Sequence, residues 1–269
     1  MNHPLKCYTL VLLCALSTFV PTWSQSQLDS NSIVKVLSFN ILHGRTTKGD
    51  FNLDVLANLI KKYDPDLVAM QEVDFKANRS KRYDLATEIG WRTHMVPLFG
   101  KAMDFDGGQY GEAVLSRYSI LTSRVVALPA LPKQEPRAAL EVVTVIPSGD
   151  TIAFVGTHLA HEGEAGRILQ VEKINEVFSQ NKYPTILVGD LNARPESKPI
   201  NILKQHWVTS YGEEQPAPTY PSDKPRIKID YVMFSPGEQW KVLDRTVIKD
   251  TVASDHCAYL VSLQLISSK

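Results

Sequence analysis

Cysteine is scarce in this sequence and is concentrated at its amino end. The 269-residue chain has three cysteines, of which Cys7 and Cys14 lie within the first 24 residues. That segment has one cation, Lys6, then an uncharged apolar run and a small-residue end, which is the layout of a secretory signal peptide. Its removal would leave Cys257 alone, so the remaining chain has no intramolecular disulfide and must depend on a large apolar core.

The same segment, residues 1–24, determines the expected location of the protein. We expect the signal peptide to be cleaved and the protein to be secreted or periplasmic. Leu13 is large where a lipid-modified Cys14 would need a small residue before it, so we do not expect a lipoprotein. An uncleaved anchor is the alternative, although the apolar run is short for a membrane span.

An excess of charge of either sign is also missing. Lys and Arg together number 29, and so do Asp and Glu. Proteins that bind nucleic acid usually present a basic surface, so this composition disfavours nucleic acid as a partner without excluding a local basic patch. The sequence also has no internal repeat, low-complexity tract or long linker, and we therefore expect residues 25–269 to form one domain and the protein to be a monomer.

The rest of the chain combines many short apolar segments with few helical ones. Helical spacing predicts helices over Leu53 to Tyr63 and Glu164 to Phe178, and the segment from Phe99 to Gln109 is predicted to be a loop. Strands are predicted at Ile33 to Asn40, Leu67 to Met70, Trp91 to Val96, Glu112 to Leu115, Leu121 to Ala127, Ala138 to Ile146, Thr151 to Thr157, Thr185 to Val188, Ile227 to Phe234, Trp240 to Val247 and Ala258 to Leu265. This pattern indicates the α/β (α+β) class, with sheets packed on each other and covered by helices.

One segment, Pro184 to Pro195, shows most clearly where the chemistry lies. Its apolar residues predict a buried strand that stops at Gly189, and Asp190 and Asn192 then follow two residues apart. At a strand end, side chains with this spacing point the same way. A carboxylate and an amide placed together suit a phosphate and its metal, although an Asp/Asn turn that caps the strand is the alternative.

Polar residues also follow or begin other apolar runs. The residues of this kind are Asn40, Glu72, His158, Asp190, Asn192, Asp230, Asp255 and His256. Acids that converge without a cation would repel one another and resist ionisation in a low dielectric. A hard divalent cation resolves this, and Mg²⁺ binds oxygen ligands and needs only one or two protein carboxylates.

The same segments carry a resemblance to a known family. They are S-F-N at 38–40, Q-E at 71–72, G-T-H at 156–158, G-D-L-N at 189–192, I-D-Y-V at 229–232 and S-D-H at 254–256. In this order they resemble the motifs of the endonuclease/exonuclease/phosphatase family, the DNase I-like metal-dependent phosphoesterases. The resemblance implies a catalytic domain over residues 25–269. It also implies a four-layer α/β sandwich of two packed mixed β-sheets flanked by helices.

The resemblance further implies a metal site and a catalytic base. Glu72 matches the principal Mg²⁺ ligand, and Asn40 and Asp255 match residues that contact the metal or its waters; Mn²⁺ and Ca²⁺ are alternatives to Mg²⁺. His256 matches the histidine that takes a proton from the attacking water. Asp230 matches the carboxylate that accepts the other N–H of that histidine.

Further roles concern the phosphate, and here alternatives stay open. The resemblance implies that Asp190 and Asn192 orient the nucleophilic water and a non-bridging phosphate oxygen. It implies that His158 donates to the phosphate or to the leaving oxygen. Two arginines, Arg79 and Arg137, are candidates for substrate binding, with solvated surface cations as the alternative. Glu112 is a candidate for orienting His158, with a rim-exposed acid as the alternative.

These inferences predict a secreted, metal-dependent phosphodiesterase that uses in-line attack of water. The neutral charge and the signal peptide favour a lipid head group or another non-nucleic phosphoester as substrate, and a membrane-lipid surface as a partner. The alternatives are a secreted DNase I-like nuclease, for which nucleic acid is the partner, and a sugar- or inositol-phosphate phosphatase. An inactive binding module is a further alternative from another functional class.

Overall fold

The computed structural model describes residues 30–237 and 239–266, and these residues form twelve strands and four α-helices. The strands are β1 (Ile33–Asn40), β2 (Leu67–Phe75), β3 (Val96–Phe105), β4 (Gly108–Ser116), β5 (Ile120–Leu128), β6 (Arg137–Val145), β7 (Thr151–His158), β8 (Thr185–Asp190), β9 (Val208–Thr209), β10 (Asp230–Phe234), β11 (Trp240–Ile248) and β12 (Ala258–Leu265). The helices are α1 (Leu53–Tyr63), α2 (Leu85–Thr93), α3 (Glu164–Phe178) and α4 (Lys198–Leu203). The predicted signal peptide lies outside the described residues, and within them no helix is long and apolar enough to span a membrane.

The strands form two six-stranded mixed sheets. The first has the order β11-β12-β1-β2-β4-β3, and the second has the order β5-β6-β7-β8-β10-β9. In each sheet one central pair is parallel, β1 with β2 and β7 with β8, and the other neighbours are antiparallel. Because parallel strands point the same way, each central pair brings two carboxyl ends to one edge of its sheet.

Three apolar clusters hold the layers together. Residues such as Val36, Phe154 and Val188 fill the space between the two sheets. Helices α1 and α2 pack on the outer face of the first sheet, and α3 and α4 pack on the outer face of the second. This arrangement confirms the predicted architecture of two packed mixed sheets flanked by helices.

In β7 and β8, the side chains that face the other sheet are apolar along the strand and polar at its carboxyl end. In β8, Ile186 and Val188 belong to the cluster between the sheets, and Asp190 is the next residue in the same alternating register. In β7, Phe154 lies in that cluster and His158 continues its register. Successive side chains of a strand point to opposite faces of the sheet. Asp190 and His158 therefore point to the same face as the apolar residues that pack between the sheets, but they lie at the strand ends, where the core stops.

Two secondary-structure predictions near residue 100 are wrong. Trp91 to Val96 is not a strand, because α2 extends to Thr93. Asp84 begins that helix by accepting a hydrogen bond from the Thr87 N–H, and the buried residues Leu85 and Ile89 pack it on the core, which outweighs the strand propensity of the following residues.

The predicted loop from Phe99 to Gln109 is in fact a hairpin made by β3 and β4. Its two turn residues, Asp106 and Gly107, both have positive φ, and Asp-Gly is a strong signal for such a two-residue turn. Among the further differences, β10 begins at Asp230, three residues later than the predicted strand start at Ile227, and no element was predicted at α4 or β9.

Candidate active site

A cleft of about 480 Å³ opens at the rim where the carboxyl ends of the central strands meet. Of the residues that the sequence predicted for the site, the cleft is lined by Glu72, Arg79, Arg137, His158, Asp190, Asn192, Asp255 and His256. Asn40 and Asp230 are buried beside it and contact its residues directly. The structure therefore brings together side chains that are up to 216 residues apart in the chain, from Asn40 to His256.

His256 and Asp230 form a buried hydrogen-bonded pair. The His256 Nδ1 lies 3.1 and 3.2 Å from the two carboxylate oxygens of Asp230, so Nδ1–H donates to this carboxylate. Burial disfavours the imidazolium, but the carboxylates of Asp230 and Asp190 raise the pKa of His256 to about 10. The Tyr220 ring packs against the imidazole with a centroid separation of 4.7 Å. The pair thus fixes the ring and directs its Nε2 toward Asp190, 3.6 Å away.

Asp190 connects the two halves of the site. It is paired in register with Asp230 on one side and with His158 on the other. Its Oδ1 accepts a hydrogen bond of 2.9 Å from the Asn192 N–H, and its Oδ2 accepts one of 3.4 Å from the Asn40 amide. Burial raises the pKa of Asp190 to about 7, against the opposing charge of His256.

His158 is held by Arg137 in one neutral tautomer. The Arg137 Nη1 lies 2.9 Å from His158 Nδ1, and a guanidinium can only donate, so Nδ1 is the acceptor. The ring proton is then on Nε2, and Asp190 Oδ2, 3.4 Å away, is the acceptor placed for it. The Asn192 Nδ2 lies 3.0 Å from Nε2, but it is itself a donor, and it makes its hydrogen bond to the Leu159 carbonyl. Burial and the Arg137 charge hold the pKa of His158 well below its usual value. This histidine is therefore a neutral hydrogen-bond donor at the cleft.

Arg137 is itself buried. Only 2% of its surface is exposed, and its Nη1 also donates to the Tyr110 hydroxyl at 3.2 Å. The guanidinium therefore lies behind His158 and already has partners. A direct role in substrate binding stays a prediction, whereas contact with His158 is what the structure shows.

The prediction for Glu112 needs correction. This residue is fully buried, does not line the cleft, and makes no hydrogen bond to His158 or to any other described residue. It is neither the partner of His158 nor a rim-exposed acid, because β4 is paired on both sides and the Glu112 side chain lies in the register of Val114, which packs between the sheets. Burial raises the pKa of Glu112 well above its usual value.

Glu72 forms the opposite corner of the cleft. It lies in a bulge of β2 and has a left-handed backbone, with φ of 58°. Asn40 Nδ2 donates to its Oε1 at 3.1 Å, and His43 Nδ1 lies 3.3 Å from its Oε2. Burial opposes ionisation of Glu72, but the hydrogen bonds from His43 and from the Asn40 amide lower its pKa to about 2. Glu72 is thus a carboxylate at any ordinary pH.

The mouth of the cleft combines an arginine with aromatic side chains. Arg79 donates two hydrogen bonds of 2.8 Å to the buried Asp74, and its guanidinium lies 4.4 Å from the Phe105 ring centroid. Tyr110 also lines the cleft, whereas Trp207 and Tyr211 pack in the core under α3 and α4.

The residues that line the cleft and that the sequence interpretation missed include His43, Arg194 and Tyr220. His43 follows the end of β1 by three residues and precedes a glycine, and Arg194 follows Asn192 by two. These short spacings from predicted site residues are signals that could have found them. Tyr220 has no such signal, because its place depends on packing against His256.

The donors at the cleft fit a divalent cation. Four carboxylates, Glu72, Asp190, Asp230 and Asp255, meet there, and among residues 30–237 and 239–266 none of them pairs with a Lys or Arg. Asp190, Asp230 and His256 bring three ligand atoms within 4.8 Å of one another. Because His256 and Asp230 already satisfy each other, the corner at Glu72 is the better place for the ion.

Comparisons with known proteins agree with this geometry. The sequence model of the endonuclease/exonuclease/phosphatase family matches residues 37–256. No curated protein is similar enough in sequence to match the chain. Similar solved structures include an endonuclease/exonuclease/phosphatase from Beutenbergia cavernae DSM 12333, with 21% identity, a TM-score of 0.76 and coverage of 87% of this chain and 72% of that one.

Two other similar structures have more specific names. The mannosyl-6-phosphatase Bt3783 of Bacteroides thetaiotaomicron VPI-5482 has 18% identity and a TM-score of 0.69, with 86% of this chain and 99% of that chain covered. The catalytic domain of human Nocturnin, with a bound sulfate anion, has 18% identity and a TM-score of 0.70, with 89% and 96% covered. These similarities concern the fold. Because the family's sequence pattern extends over most of the chain and ends at His256, the protein belongs to the endonuclease/exonuclease/phosphatase family.

Proposed function

We propose that this protein hydrolyses a phosphate ester by in-line attack of a water molecule. The observation that carries the proposal is the convergence, at one cleft, of the His256–Asp230 pair, the carboxylate of Glu72 and the donors His158 and Asn192. A base, a cation site and hydrogen-bond donors are the three parts that water attack on a phosphate needs.

In this mechanism His256 removes a proton from the attacking water through Nε2. Asp230 accepts Nδ1–H, so it holds the ring in the required tautomer and stabilises the imidazolium that forms. Asp190, 3.6 Å from the same Nε2, is placed to accept the second hydrogen of that water. A divalent cation held by Glu72 would supply positive charge for the phosphate oxygens, and its charge would oppose protonation of His256.

On the other side of the cleft, His158 and Asn192 act on the phosphate. The His158 Nε2–H and the Asn192 amide are both donors, and both are fixed by other contacts, with Arg137 and with the Leu159 carbonyl respectively. Donors that are already oriented stabilise charge that grows in the transition state without further reorganisation. Each such donor is worth roughly 10² to 10³ in rate.

We further propose a small or lipid-borne phosphodiester as substrate. A cleft of about 480 Å³ falls in the range of small-ligand sites, and its walls include the apolar side chains of Met103, Phe105 and Ile229. The chain has no excess of basic residues to follow a nucleic acid backbone. A lipid head group at a membrane surface, met by an exported monomeric enzyme, is the substrate source that we favour.

A sugar-phosphate monoester is the second candidate. The observation that favours it is the set of cations at the cleft, Arg79, Arg137 and Arg194, since a monoester carries more charge than a diester. A solved structure with the same fold is named a mannosyl-6-phosphatase. That name belongs to the other protein, and it supplies a substrate class to test here.

The test is metal-dependent turnover by the protein without residues 1–24. The panel contains bis(4-nitrophenyl) phosphate, a sphingomyelin-type lipid, mannose 6-phosphate, an inositol phosphate, plasmid DNA and RNA. His256→Gln is measured beside the wild type, and His206→Gln, which alters a histidine outside the cleft, is the matched control. We expect His256→Gln to lose about 10² to 10⁴ of kcat, because it removes the general base, and His206→Gln to lose almost nothing.

The pattern of substrates decides between the candidates. Cleavage of the lipid or the small diester, with the DNA left intact, supports a phosphodiesterase that acts on a small or lipid-borne substrate. Turnover of mannose 6-phosphate above all others supports the monoesterase, and preferential cleavage of DNA or RNA identifies a nuclease. Full activity in His256→Gln would refute the mechanism. If no substrate is turned over with any divalent cation, the result would favour a binding module.

A further inference from the structure

His43 lies in the cleft beside Glu72, and the mechanism above assigns it no role. Its side chain is 15% exposed, and its Nδ1 lies 3.3 Å from Glu72 Oε2. Within the described residues the other ring nitrogen, Nε2, has no hydrogen-bond partner. Because Glu72 is the carboxylate proposed to bind the metal ion, His43, whose ring nitrogen lies next to it, is also a candidate ligand.

The backbone around His43 is held in an uncommon conformation. Leu42 and His43 have φ of 48° and 44°, and Gly44 has φ of 84°. A left-handed conformation is unfavourable for a residue other than glycine, because its Cβ comes too close to the following carbonyl oxygen. Strain of this kind persists only where surrounding contacts enforce it, and it concentrates at functional sites.

Several contacts enforce this turn. The Leu42 N–H donates to Asn40 Oδ1 at 3.1 Å, and the Gly44 N–H donates to the Ile41 carbonyl at 3.0 Å. A Cβ on Gly44 would lie 2.8 Å from the Phe51 ring, so the turn is packed tightly against its neighbours. Asn40 thus fixes the turn with its carbonyl oxygen while its amide nitrogen donates to Glu72. The result is that His43 and Glu72 are oriented by the same residue.

The distance between the two groups suits neighbouring ligands of one ion. With metal–ligand bonds of about 2.1 Å, adjacent ligands of an octahedral ion lie about 3.0 Å apart. The observed separation of 3.3 Å between Nδ1 and Oε2 is close to this value. Ligation through Nδ1 would place the ring proton on Nε2 and would replace the hydrogen bond from Nδ1–H to Glu72 Oε2. Among the described residues Nε2 makes no hydrogen bond that this change would break.

We propose that His43 is a nitrogen ligand of the divalent cation at Glu72, and that it makes this site prefer Mn²⁺ to Mg²⁺. Imidazole nitrogen binds first-row transition ions well, whereas Mg²⁺ selects oxygen ligands and keeps several waters. The inference rests on the proposed function only for the place of the metal. It changes the expected ion, since the residues that the sequence offered as metal ligands, Glu72, Asn40 and Asp255, all supply oxygen.

The test is pulsed EPR of Mn²⁺ added to the metal-free protein, with affinities for Mn²⁺ and Mg²⁺ measured in parallel. A directly bound imidazole gives a nitrogen coupling on the Mn²⁺ signal. The main variant is His43→Asn, because asparagine tolerates the left-handed conformation and lacks the ring nitrogen. His161→Gln is the matched control, since His161 also lines the cleft, is 61% exposed and pairs with Glu162 instead of Glu72.

We expect a nitrogen coupling in the wild type and in His161→Gln, and its loss in His43→Asn. The Mn²⁺ affinity should fall at least about 10-fold in His43→Asn, and the Mg²⁺ affinity should change by less than about 3-fold. Circular dichroism and a thermal melt of each variant verify that it is folded.

Three results would overturn the inference: no Mn²⁺ binding, bound Mn²⁺ without a nitrogen coupling, and a coupling that survives in His43→Asn. None of these readouts needs turnover. An active enzyme whose Mn²⁺ shows no nitrogen coupling would refute the role of His43 and leave the proposed function standing. A nitrogen coupling that depends on His43, in a protein that turns over no substrate, would support the role of His43 and refute the proposed function.

Discussion

Replacement of Glu112 by glutamine should stabilise the protein at neutral pH. The carboxyl group is fully buried, and neither of its oxygens has a hydrogen-bond partner among the described residues. An unpartnered buried polar group costs about 1 to 3 kcal/mol, and an ionised one costs more. Glutamine keeps the shape of the side chain and removes the need to bury a charge.

The size of the effect follows from the direction in which burial shifts the pKa. The pKa of Glu112 is well above its usual value of 4.5, so the folded protein binds this proton more tightly than the unfolded chain does. The free energy of unfolding therefore falls as pH rises above 4.5, by about 1.4 kcal/mol per pH unit, until the folded carboxyl ionises. We expect Glu112→Gln to match the wild type near pH 4.5 and to exceed it at pH 8 by more than about 1 kcal/mol, with an upper limit of about 5 kcal/mol set by this slope.

The assay is urea unfolding of the metal-free protein at pH 5 and pH 8. Glu141→Gln is the control, because Glu141 is also buried but pairs with Arg124 and accepts a hydrogen bond of 2.6 Å from Asn181. Loss of this paired carboxylate should destabilise the protein at both pH values. In thermal melts the gain at pH 8 corresponds to about 2 to 4 °C per kcal/mol for a domain of this size.

The result that refutes this reasoning is a loss of stability in Glu112→Gln at pH 8. It would mean that Glu112 is ionised and that its charge supports the buried Arg137, whose Nε also lacks a hydrogen-bond partner in the described part of the chain. Turnover should change by less than about 3-fold in Glu112→Gln, since the residue touches neither the cleft nor His158.

Three further predictions concern the site and the strand beneath it. The folded pKa of His256, about 10, lies above the usual 6.5, so the stability from ionised His256 in the metal-free protein is complete below pH 6.5 and is lost as pH rises through 10. From pH 6 to 10.5 the free energy of unfolding should therefore fall more steeply in the wild type than in His256→Gln, and an equal fall in both would contradict this assignment. Nitrogen-15 chemical shifts of labelled histidine should show that His158 carries its proton on Nε2 and none on Nδ1. In Arg137→Met both neutral tautomers of His158 should be populated. A proton on Nδ1 in the wild type would contradict the geometry. Gly189→Ala should abolish soluble expression or lower the free energy of unfolding by more than about 3 kcal/mol in a denaturant titration, because the added Cβ would lie 1.9 Å from the Thr157 carbonyl oxygen. A fully stable variant would show that β7 and β8 can move apart at little cost.

Much of the fold could be predicted because strand and helix patterns are local. The helices at 53–63 and 164–178 and the central strands have the expected places, since their apolar periodicity follows directly from side-chain geometry. The errors arose where local signals conflict. Trp91 to Val96 has strand-forming residues, but the cap at Asp84 and the buried face of α2 decide for a helix.

The sequence by itself determined most of the polar residues that meet at the cleft. An apolar run that is followed by a polar residue, as before Asp190, presents that side chain at a rim, and six short motifs in order indicated the family. Only the tertiary structure decided which partners meet there. Arg137 lies on His158 while Glu112 does not, and His43 turns back onto Glu72. These contacts depend on strand register, on the packing of one sheet against the other and on a left-handed turn, and long-range geometry of that kind leaves no periodic trace in a sequence.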